Sequence, residues 1–476
     1  MSTADPRALD PTGPALRALL AEVTEYVAHV IERMPTAPAS DTGGVAELLS
    51  DPAVRRPPPD RGRPLAELLE VVDRVGTKGL NTASPGYLAF IPGSGVLAAA
   101  LADLVSDVLN RYTGVAFAAP GLVALEADVL AWLARLFALP ETTAGLVTTG
   151  ASLATLSALI TARWAKLGED FLDGTIYVTD QTHRSVAKAA RLCGFPDRAI
   201  HGVPVDADLR MEPAGLRAAI AADRAAGKRP CCVVASAGTI NTGIVDPLPE
   251  LADIAAAEGL WLHVDAAYGG FFQLTERGRQ RLRGIERADS LVLDAHKGLF
   301  LPFGTGCLLV REGDLLREAH SGPHAEYLQD IVATELPSFA DYGPELTRDT
   351  RGLRLWLPLH LHGVDTFRAA LDEKLDLAEY AYRELSADPA LEVFGPPELS
   401  TVAFRCRAGD EVTMEVVARV NAEQRVFMSS TRVDDRYTGR ICVLNHRTTR
   451  ERIEYTVEAI RRHTATTLSP LEGELE

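Results

Sequence analysis

The chain has 476 residues, with 48 Lys and Arg against 65 Asp and Glu, so its net charge is −17. This length predicts two or three structural units, and a composition of 47% apolar and 24% charged residues excludes a disordered chain. The negative charge argues against nucleic acid as a partner. No apolar run reaches roughly 18 residues, so no membrane span is predicted. The six cysteines show no CxxC spacing and the N-terminus lacks a secretion signal, which together indicate a soluble cytoplasmic protein with reduced thiols.

The first eighty residues are predicted to form an N-terminal helical arm. Between 15 and 34 the apolar side chains recur every three or four residues, which is typical of a helix with one apolar face. The sequence RRPPPD at 55–60 cannot continue a helix, because proline removes a donor and clashes with the preceding turn. Residues 1–80 are too few to hold a core alone, so we expect them to pack on the rest of the chain or on a second subunit.

Residues 81–365 are predicted to form one large α/β domain. Short runs rich in β-branched residues alternate there with helical patterns at 151–166 and 248–258. The candidate strands are 145–149, 175–179, 231–236, 261–266, 290–294 and 306–311. Near-continuous apolar strands that alternate with helices imply a mostly parallel sheet covered on both faces.

The remaining residues, 366–476, are predicted to form a smaller α+β domain. A long helical pattern at 364–385 leads into strand-like segments at 401–406 and 440–445. The sequence TTRE at 448–451 fits a capping box, which predicts a final helix.

Small residues follow the first predicted strand of the large domain. Gly150, Ala151 and Ser152 stand where a helix begins, and the backbone N–H groups of a helix N-terminus favour an anion such as phosphate. A tight turn uses the same small residues, and the segment matches neither the Walker spacing nor GxGxxG. On its own, this segment leaves both interpretations open.

Two polar residues stand at the ends of strand-like runs. His183 lies between a strand-like run and a helical one, and by itself it is typical of a polar residue at a helix start. Asp265 ends a strongly apolar strand, where a carboxylate is costly unless it meets a cation or a hydrogen-bond donor. Open α/β sheets bind their ligands at this edge.

Lys297 follows a further apolar strand, beside His296 and before Gly298. In such surroundings desolvation lowers the pKa of an amine and makes it a nucleophile toward carbonyls, although a solvated lysine at a strand end fits the same pattern. An anion-binding helix start, a ring-sized residue, a buried acid and a nucleophilic lysine together form the set that pyridoxal 5′-phosphate (PLP) requires.

The chain resembles the group II PLP-dependent amino-acid decarboxylases, which include aromatic-L-amino-acid decarboxylase. The resemblance runs from SPGYLAFIPG at 84–93 to NHRTT at 445–449, and the motifs HVDAAYGG and DAHK are its most specific parts. It implies an α/β fold, the aspartate-aminotransferase-like fold type I of PLP-dependent transferases, with a mostly parallel seven-stranded sheet. It also implies an amino acid as substrate and a homodimer with its active sites at the subunit interface.

The resemblance also assigns roles to individual residues. Lys297 would hold PLP as a Schiff base, Asp265 would pair with the ring nitrogen, and His183 would stack on one face of the ring. The other residues expected to contact the cofactor are Gly150, Ala151, Ser152, Thr239, Ala267 and His296. No metal site is predicted.

The chain departs from the family's pattern beside the cofactor and beside the substrate. Leu153 replaces an acidic residue, and Asp294 replaces an asparagine, which we expect to weaken or rearrange the phosphate contacts. Relatives selecting aromatic substrates carry several aromatic residues in the segment that matches 90–93, where this chain has only Phe90, followed by Ile91. Arg111 could bind an acidic substrate side chain bidentately, and a structural or interface role is at least as well supported. The substrate side chain therefore stays open.

A tyrosine in the loop at roughly 312–350 is expected, from the resemblance, to return a proton to Cα of the substrate. Counting back without gaps from Arg351 places Phe339 at the family's tyrosine position, and a shift of three residues places Tyr342 there. We prefer Tyr342, because loop lengths vary more than cores. Relatives with phenylalanine at this position tend to form aldehydes.

The function implied by the resemblance is decarboxylation of an L-amino acid to its primary amine through a Lys297 Schiff base and a quinonoid intermediate. The alternative is decarboxylation coupled to oxidative deamination, which consumes oxygen and yields an aldehyde. Cleavage of a Cα–Cβ bond, as in sphingosine-phosphate lyases, is less favoured because those proteins usually carry a membrane anchor. A noncatalytic protein with this fold is disfavoured, since Lys297, Asp265 and His183 are all present.

Overall fold

Two β-sheets, each with its own apolar core, organise the chain. The structure is a computed structural model, and it describes residues 9–322 and 335–472. Within these ranges, no helix is long and apolar enough to cross a bilayer.

The N-terminal arm is helical and lies exposed on the single chain. Its elements are α1 (Gly13–Arg33), β1 (Ser40–Asp41), α2 (Val45–Ser50), α3 (Leu65–Gly76) and β2 (Gly79–Leu80). The two short strands pair antiparallel, and an ion pair of 2.5 Å between Arg33 and Asp73 joins α1 to α3. None of the three helices has a buried residue. The arm therefore adds little to the core of its own chain.

Two long helices connect the arm to the large sheet. After β3 (Tyr87–Leu88) the chain forms α4 (Leu97–Leu109) and α5 (Pro120–Leu136). The buried residues of α4 are Ala98, Ala99, Ala102 and Ser106. Its exposed apolar residues are Leu97, Leu101, Leu104, Val105, Val108 and Leu109, and Val108 is 77% exposed. The helix thus presents an apolar face that the described part of its own chain leaves exposed.

The large sheet has seven strands and is mostly parallel, which confirms the prediction. Its strands are β4 (Ala144–Thr148), β5 (Gly174–Val178), β6 (Ile200–Gly202), β7 (Arg229–Ser236), β8 (Trp261–Asp265), β9 (Ser290–Asp294) and β10 (Gly306–Val310). Their order is β4-β10-β9-β8-β7-β5-β6, and β10 runs antiparallel to both of its neighbours. The edge strand β6 is missing from the sequence prediction, because three residues carry too little pattern to detect.

Helices cover this sheet and close its core. They are α6 (Ala151–Leu167), α7 (Ser185–Leu192), α8 (Pro213–Ala225), α9 (Leu248–Glu258), α10 (Glu276–Arg281), α11 (Ala295–Gly298), α12 (Gly313–His320) and α13 (Gly352–His362). Every residue of β9 and β10 is buried. Because successive side chains of a strand point to opposite faces, both faces of the sheet are covered at these strands.

A second sheet of five strands forms the C-terminal unit. Its elements are α14 (Val364–Ser386), β11 (Leu391–Val393), β12 (Thr401–Cys406), α15 (Asp410–Ala422), β13 (Phe427–Val433), β14 (Arg436–Cys442) and α16 (Arg450–Glu472). The order is β11-β12-β14-β13-β3, so a strand from the N-terminal part of the chain completes it. Helix α14 contributes Phe367 and Leu371 to the first core and Leu377 and Leu385 to the second. The boundary at 365/366 stays a prediction, and this helix joins the two units.

Candidate active site

A cavity of about 280 Å³ lies at the carboxyl ends of β8 and β9, beside the start of α6. It is lined by Ile91, Thr149, Gly150, Ala151, Ser152, Leu153, His183, Gly238, Ile240, Asp265, Ala267, Tyr268, Asp294, His296 and Lys297. Open α/β sheets bind ligands at this edge because their parallel strands end there together. The structure thus brings together all of the predicted cofactor-binding residues except Thr239.

The N-terminus of α6 forms one wall of the cavity. Gly150 has a φ of +149°, in the region that side chains rarely adopt, and the helix begins at Ala151. Gly306 of β10 packs against this turn, and a Cβ there would lie 2.6 Å from the backbone of Gly150. The segment is therefore a tight turn and a helix start at once, and glycine is required on both sides of the contact.

Lys297 lies in the short helix α11, in contact with an acidic side chain. Its Nζ is 2.9 Å from Oδ2 of Asp294, whose Oδ1 accepts the N–H of Ala151 at 2.7 Å. Asp294 is 3% exposed, so this carboxylate joins the lysine to the start of α6 in a buried wall. The Nδ1–H of His296 donates to the carbonyl of Thr305 at 3.0 Å. Burial lowers the pKa of His296, which keeps its ring neutral at pH 7.

Asp265 and His183 lie close enough to interact electrostatically. Asp265 ends β8, and its Oδ1 accepts the N–H of Ala267 at 3.1 Å. Nδ1 of His183 accepts the N–H of Ser185 at 3.3 Å, so the proton of the neutral ring is assigned to Nε2. Burial lowers the pKa of His183 by more than the charge of Asp265 raises it. The cavity therefore holds a neutral, half-buried ring beside a carboxylate.

Three of the predicted contact residues do not line the cavity of this chain. Thr239 is buried, and its hydroxyl lies 3.3 Å from that of Thr242. Phe90 directly precedes the lining residue Ile91, and its side chain is half exposed. Arg111 is exposed just beyond the end of α4. The aromatic residue is next to the site, whereas the arginine lies beside the exposed apolar face.

The loop residues Phe339 and Tyr342 also lie outside the lining, and residues 323–334 of the same loop lie outside the described residues. Phe339 is 1% exposed, with the guanidinium of Arg348 4.8 Å from its ring. Tyr342 packs on the large core. Burial raises the pKa of its hydroxyl, and the nearby charge of Arg317 on α12 opposes that effect. Neither side chain reaches the cavity of its own chain.

A buried ion pair holds this loop segment to the sheet. Nη2 of Arg348 donates to Oε1 of Glu126 at 2.7 Å and to the carbonyl of Val147 at 2.9 Å. The N–H of Val147 donates to the same carboxylate at 3.1 Å, and both charged side chains are 1% exposed. The pair therefore fastens the segment to β4, the strand that leads to Gly150.

Two aromatic residues that the sequence analysis does not single out lie at or beside the site. The ring centroid of Phe303 lies 5.5 Å from that of His296, and Phe303 is 57% exposed. Tyr268 lines the cavity, and its hydroxyl accepts the N–H of Ser400, just before β12, at 2.9 Å. Its place inside the motif HVDAAYGG is a signal that could have identified Tyr268. For Phe303 the sequence offers only an aromatic residue shortly after Lys297.

The donor set and the size of the cavity fit pyridoxal 5′-phosphate. Lys297 offers an amine for its carbonyl, Asp265 a carboxylate for its ring nitrogen, and the start of α6 N–H donors for its phosphate. The neutral ring of His183 offers a stacking surface. Asp294 opposes the fit, because its charge lies among the phosphate donors. This fold and this site define a PLP-dependent enzyme of fold type I.

Comparison with known proteins leads to the same class. The family model described as "Pyridoxal-dependent decarboxylase conserved domain" matches residues 52–407. The aromatic-L-amino-acid decarboxylase of Bacillus atrophaeus is 36% identical over 405 residues, which cover 83% of this chain and 84% of that protein. The phenylacetaldehyde synthase of Petunia hybrida is 29% identical over 463 residues, which cover 91% and 90%. The crystal structure of Oryza sativa TDC with PLP and tryptamine matches with a TM-score of 0.91 at 28% identity, covering 98% of this chain and 100% of that chain.

The chain belongs to the pyridoxal-dependent decarboxylase family and is a PLP-dependent amino-acid decarboxylase. The predictions of fold type I, of PLP as cofactor and of decarboxylation as the reaction are thereby confirmed.

Proposed function

We propose that the enzyme decarboxylates an aromatic L-amino acid and releases the corresponding primary amine. The lining includes the apolar residues Ile91 and Ile240. The half-exposed ring of Phe90 adjoins Ile91, and that of Phe303 contacts the lining residue His296. These two rings are the observation that carries the proposal, because a planar substrate side chain packs favourably against aromatic surfaces. The aromatic amino acid in the name of the Bacillus atrophaeus relative supports the same substrate class.

The proposed roles of the lining residues follow from their chemistry. When bound, PLP supplies an electron sink for the bond between Cα and the departing carboxylate. Lys297 would bind the cofactor through its amine and yield that position to the substrate amine. Asp265 would hold a proton on the ring nitrogen, since a carboxylate favours the charged form of a neighbouring base. His183 and Ala267 would enclose the ring from its two sides.

We propose that the phosphate binds at the start of α6. Gly150 leaves room for close approach, and the N–H groups there are suited to an anion. Ser152 and His296 would add side-chain contacts from the same wall. Thr239 rests on the family resemblance alone, because its hydroxyl lies beside that of Thr242.

A tyrosine is proposed to return the proton to Cα, and two candidates exist between 312 and 350. Tyr342 packs against the large core, away from the cavity of its own chain. Tyr327 is the other tyrosine of this segment and falls outside the described residues. Replacing each tyrosine in turn with phenylalanine distinguishes the two candidates. If only the Tyr342→Phe variant forms aldehyde and peroxide, Tyr342 is supported as the proton donor. If only the Tyr327→Phe variant forms them, Tyr327 is the proton donor instead.

We infer that the enzyme acts as a homodimer whose second subunit covers α1 and α4. Helix α1 has no buried residue, and α4 exposes a continuous set of apolar side chains that includes Leu104 and Val108. A patch of this kind marks an association surface. Light scattering should give a dimer for the native enzyme and a monomer for Val108→Asp. A native monomer would refute the inference, and it would leave Arg111 without an interface role.

We also infer a cytoplasmic location. All six cysteines are free and buried, and unpaired thiols are typical of a reducing compartment. Fractionation of the source cells with an activity assay tests this inference, and activity outside the cytosolic fraction would refute it.

The substrate proposal is tested with an L-amino-acid panel on the purified PLP-loaded enzyme, in which carbon dioxide, amine and hydrogen peroxide are measured together. We expect amine and carbon dioxide to form in equal amounts, and aromatic amino acids to be turned over faster than all others. Peroxide equal to carbon dioxide would instead establish the aldehyde-forming reaction. A preference for acidic or aliphatic substrates would refute the aromatic class.

A further inference from the structure

A buried arginine of the second sheet reaches the walls of the active-site cavity. Arg440 on β14 is 3% exposed. Its Nη2 donates to the carbonyl of Phe90 at 3.0 Å and also to the carbonyl of Ile240, while its Nε donates to the carbonyl of Asn241 at 3.2 Å. Its Nη1 donates to the hydroxyl of Ser429 at 2.9 Å. One guanidinium therefore binds two separate backbone segments at once.

The first segment contains a backbone conformation that needs external support. Phe90 has a φ of +51°, which is uncommon for a residue with a bulky side chain. Its N–H donates to the hydroxyl of Ser429 at 3.0 Å, and its carbonyl accepts Arg440. Both backbone polar groups of Phe90 are thus bound by side chains of β13 and β14. The next residue, Ile91, lines the cavity.

The second segment is the turn that follows β7. Ile240 lines the cavity, and the carbonyls of Ile240 and Asn241 both accept Arg440. The side chain of Asn241 is held as well, because its Nδ2 donates to Gln181 at 3.0 Å and its Oδ1 accepts Thr431 at 2.7 Å. The lining residues Ile91 and Ile240 are therefore fixed relative to each other through one buried side chain.

We propose that Arg440 is a positioning residue that sets the spacing of the Ile91 and Ile240 walls and thereby selects the substrate side chain. The planar fork of arginine donates in several fixed directions, and lysine cannot reproduce this because its charge is concentrated at one atom. The effect on substrate choice rests on the aromatic substrate proposed above, whereas the effect on the two segments does not. This difference allows the two ideas to be tested separately.

The test compares Arg440→Lys with Arg405→Lys in the PLP-loaded enzyme. Arg405 is a matched control: it is also 3% exposed, lies on the neighbouring strand β12, and pairs with Glu392 at 3.5 Å. Deuterium exchange is measured for peptides covering 84–93 and 238–245. Steady-state kinetics are measured with L-tryptophan, L-phenylalanine and L-leucine.

In Arg440→Lys we expect exchange in both peptides to become about tenfold faster, because the lost hydrogen bonds allow local opening. The KM for L-tryptophan should rise about tenfold or more, relative to the change for L-leucine, with a smaller change in kcat. Arg405→Lys should change neither measurement. If Arg440→Lys does not fold, Ser429→Ala provides the same test, since it removes the partner of both Phe90 and Arg440.

Unchanged exchange in both peptides would overturn the proposal, whatever the kinetics show. Faster exchange with an equal loss on all three amino acids would also overturn it, because Arg440 would then support the fold without selecting the substrate. If the native enzyme turns over none of the three, the kinetic comparison is repeated with the best substrate of the amino-acid panel and its smaller analogue. Absence of turnover with all three would count against the aromatic substrate, and the repeated comparison would then decide, by the same criteria, whether Arg440 selects the substrate side chain.

Discussion

Replacing Asp294 with asparagine is expected to tighten the binding of PLP. The carboxylate lies 2.7 Å from the N–H nitrogen of Ala151, and a phosphate oxygen bound to that group would lie about 2.9 Å from the same nitrogen. The two oxygens are then at most about 5.6 Å apart, where one unit of charge repels another by about 3 kcal/mol at an effective dielectric constant of 20. Asparagine keeps an acceptor for Ala151 and removes the charge.

Part of this gain is offset, because Lys297 loses a carboxylate at 2.9 Å. We therefore expect a Kd for PLP that is lower by about tenfold, or about 1.4 kcal/mol. The assay is a fluorescence titration of cofactor-stripped enzyme with PLP. Asp289→Asn is the control, since Asp289 lies just before the other end of β9 and accepts the N–H of Leu262 at 2.8 Å. A higher Kd for PLP in Asp294→Asn would refute the reasoning. It would show that the carboxylate of Asp294 supports PLP binding through Lys297 more than it repels the phosphate.

Three further outcomes follow from the site. Glu126→Gln should lower the free energy of unfolding, measured by urea denaturation, by about 3–5 kcal/mol, because it leaves the charge of Arg348 buried and unpaired. A loss below about 1 kcal/mol would contradict this expectation. Burial lowers the pKa of His183 below its usual 6.5, so kcat/KM should stay constant as the pH falls to 6.5 and should decline only at lower pH. An inflection of kcat/KM above pH 6.5 would refute a neutral His183 ring. Phe303→Ala should raise the KM for aromatic substrates about two- to tenfold, because one aromatic contact is lost, and should leave the Kd for PLP unchanged. An unchanged KM would show that Phe303 does not contact the substrate.

The cofactor side of the site could be predicted from the sequence because its signals are local. Asp265 and Lys297 each end or follow a buried strand, and parallel strands end at the same edge of a sheet. Gly150 stands at a strand-to-helix turn that a short window can detect. The proximity of these residues in the fold therefore follows from patterns that are visible in the sequence.

The substrate side could not be predicted in the same way, because long-range contacts determine it. Phe90 is bound by Ser429, which is 339 residues later in the chain, and its unusual φ has no local signature. Tyr342 is preferred only by counting through a loop, where insertions make the count unreliable. In the single chain it packs on the large core, so its role stays a prediction. The short strand β6 escaped detection for want of length.

The placement of β10 between β4 and β9 has a consequence for synthesis of the protein on the ribosome. β4 lies at the edge of the sheet and pairs with β10, so it has no partner until residues 306–310 have emerged. Until then the backbone N–H and C=O groups of β4 that pair with β10 have no strand partner, and unpaired strand edges promote aggregation. Gly306 also completes the turn at Gly150. The phosphate site proposed at Gly150 is therefore complete only on a chain whose translation has passed β10.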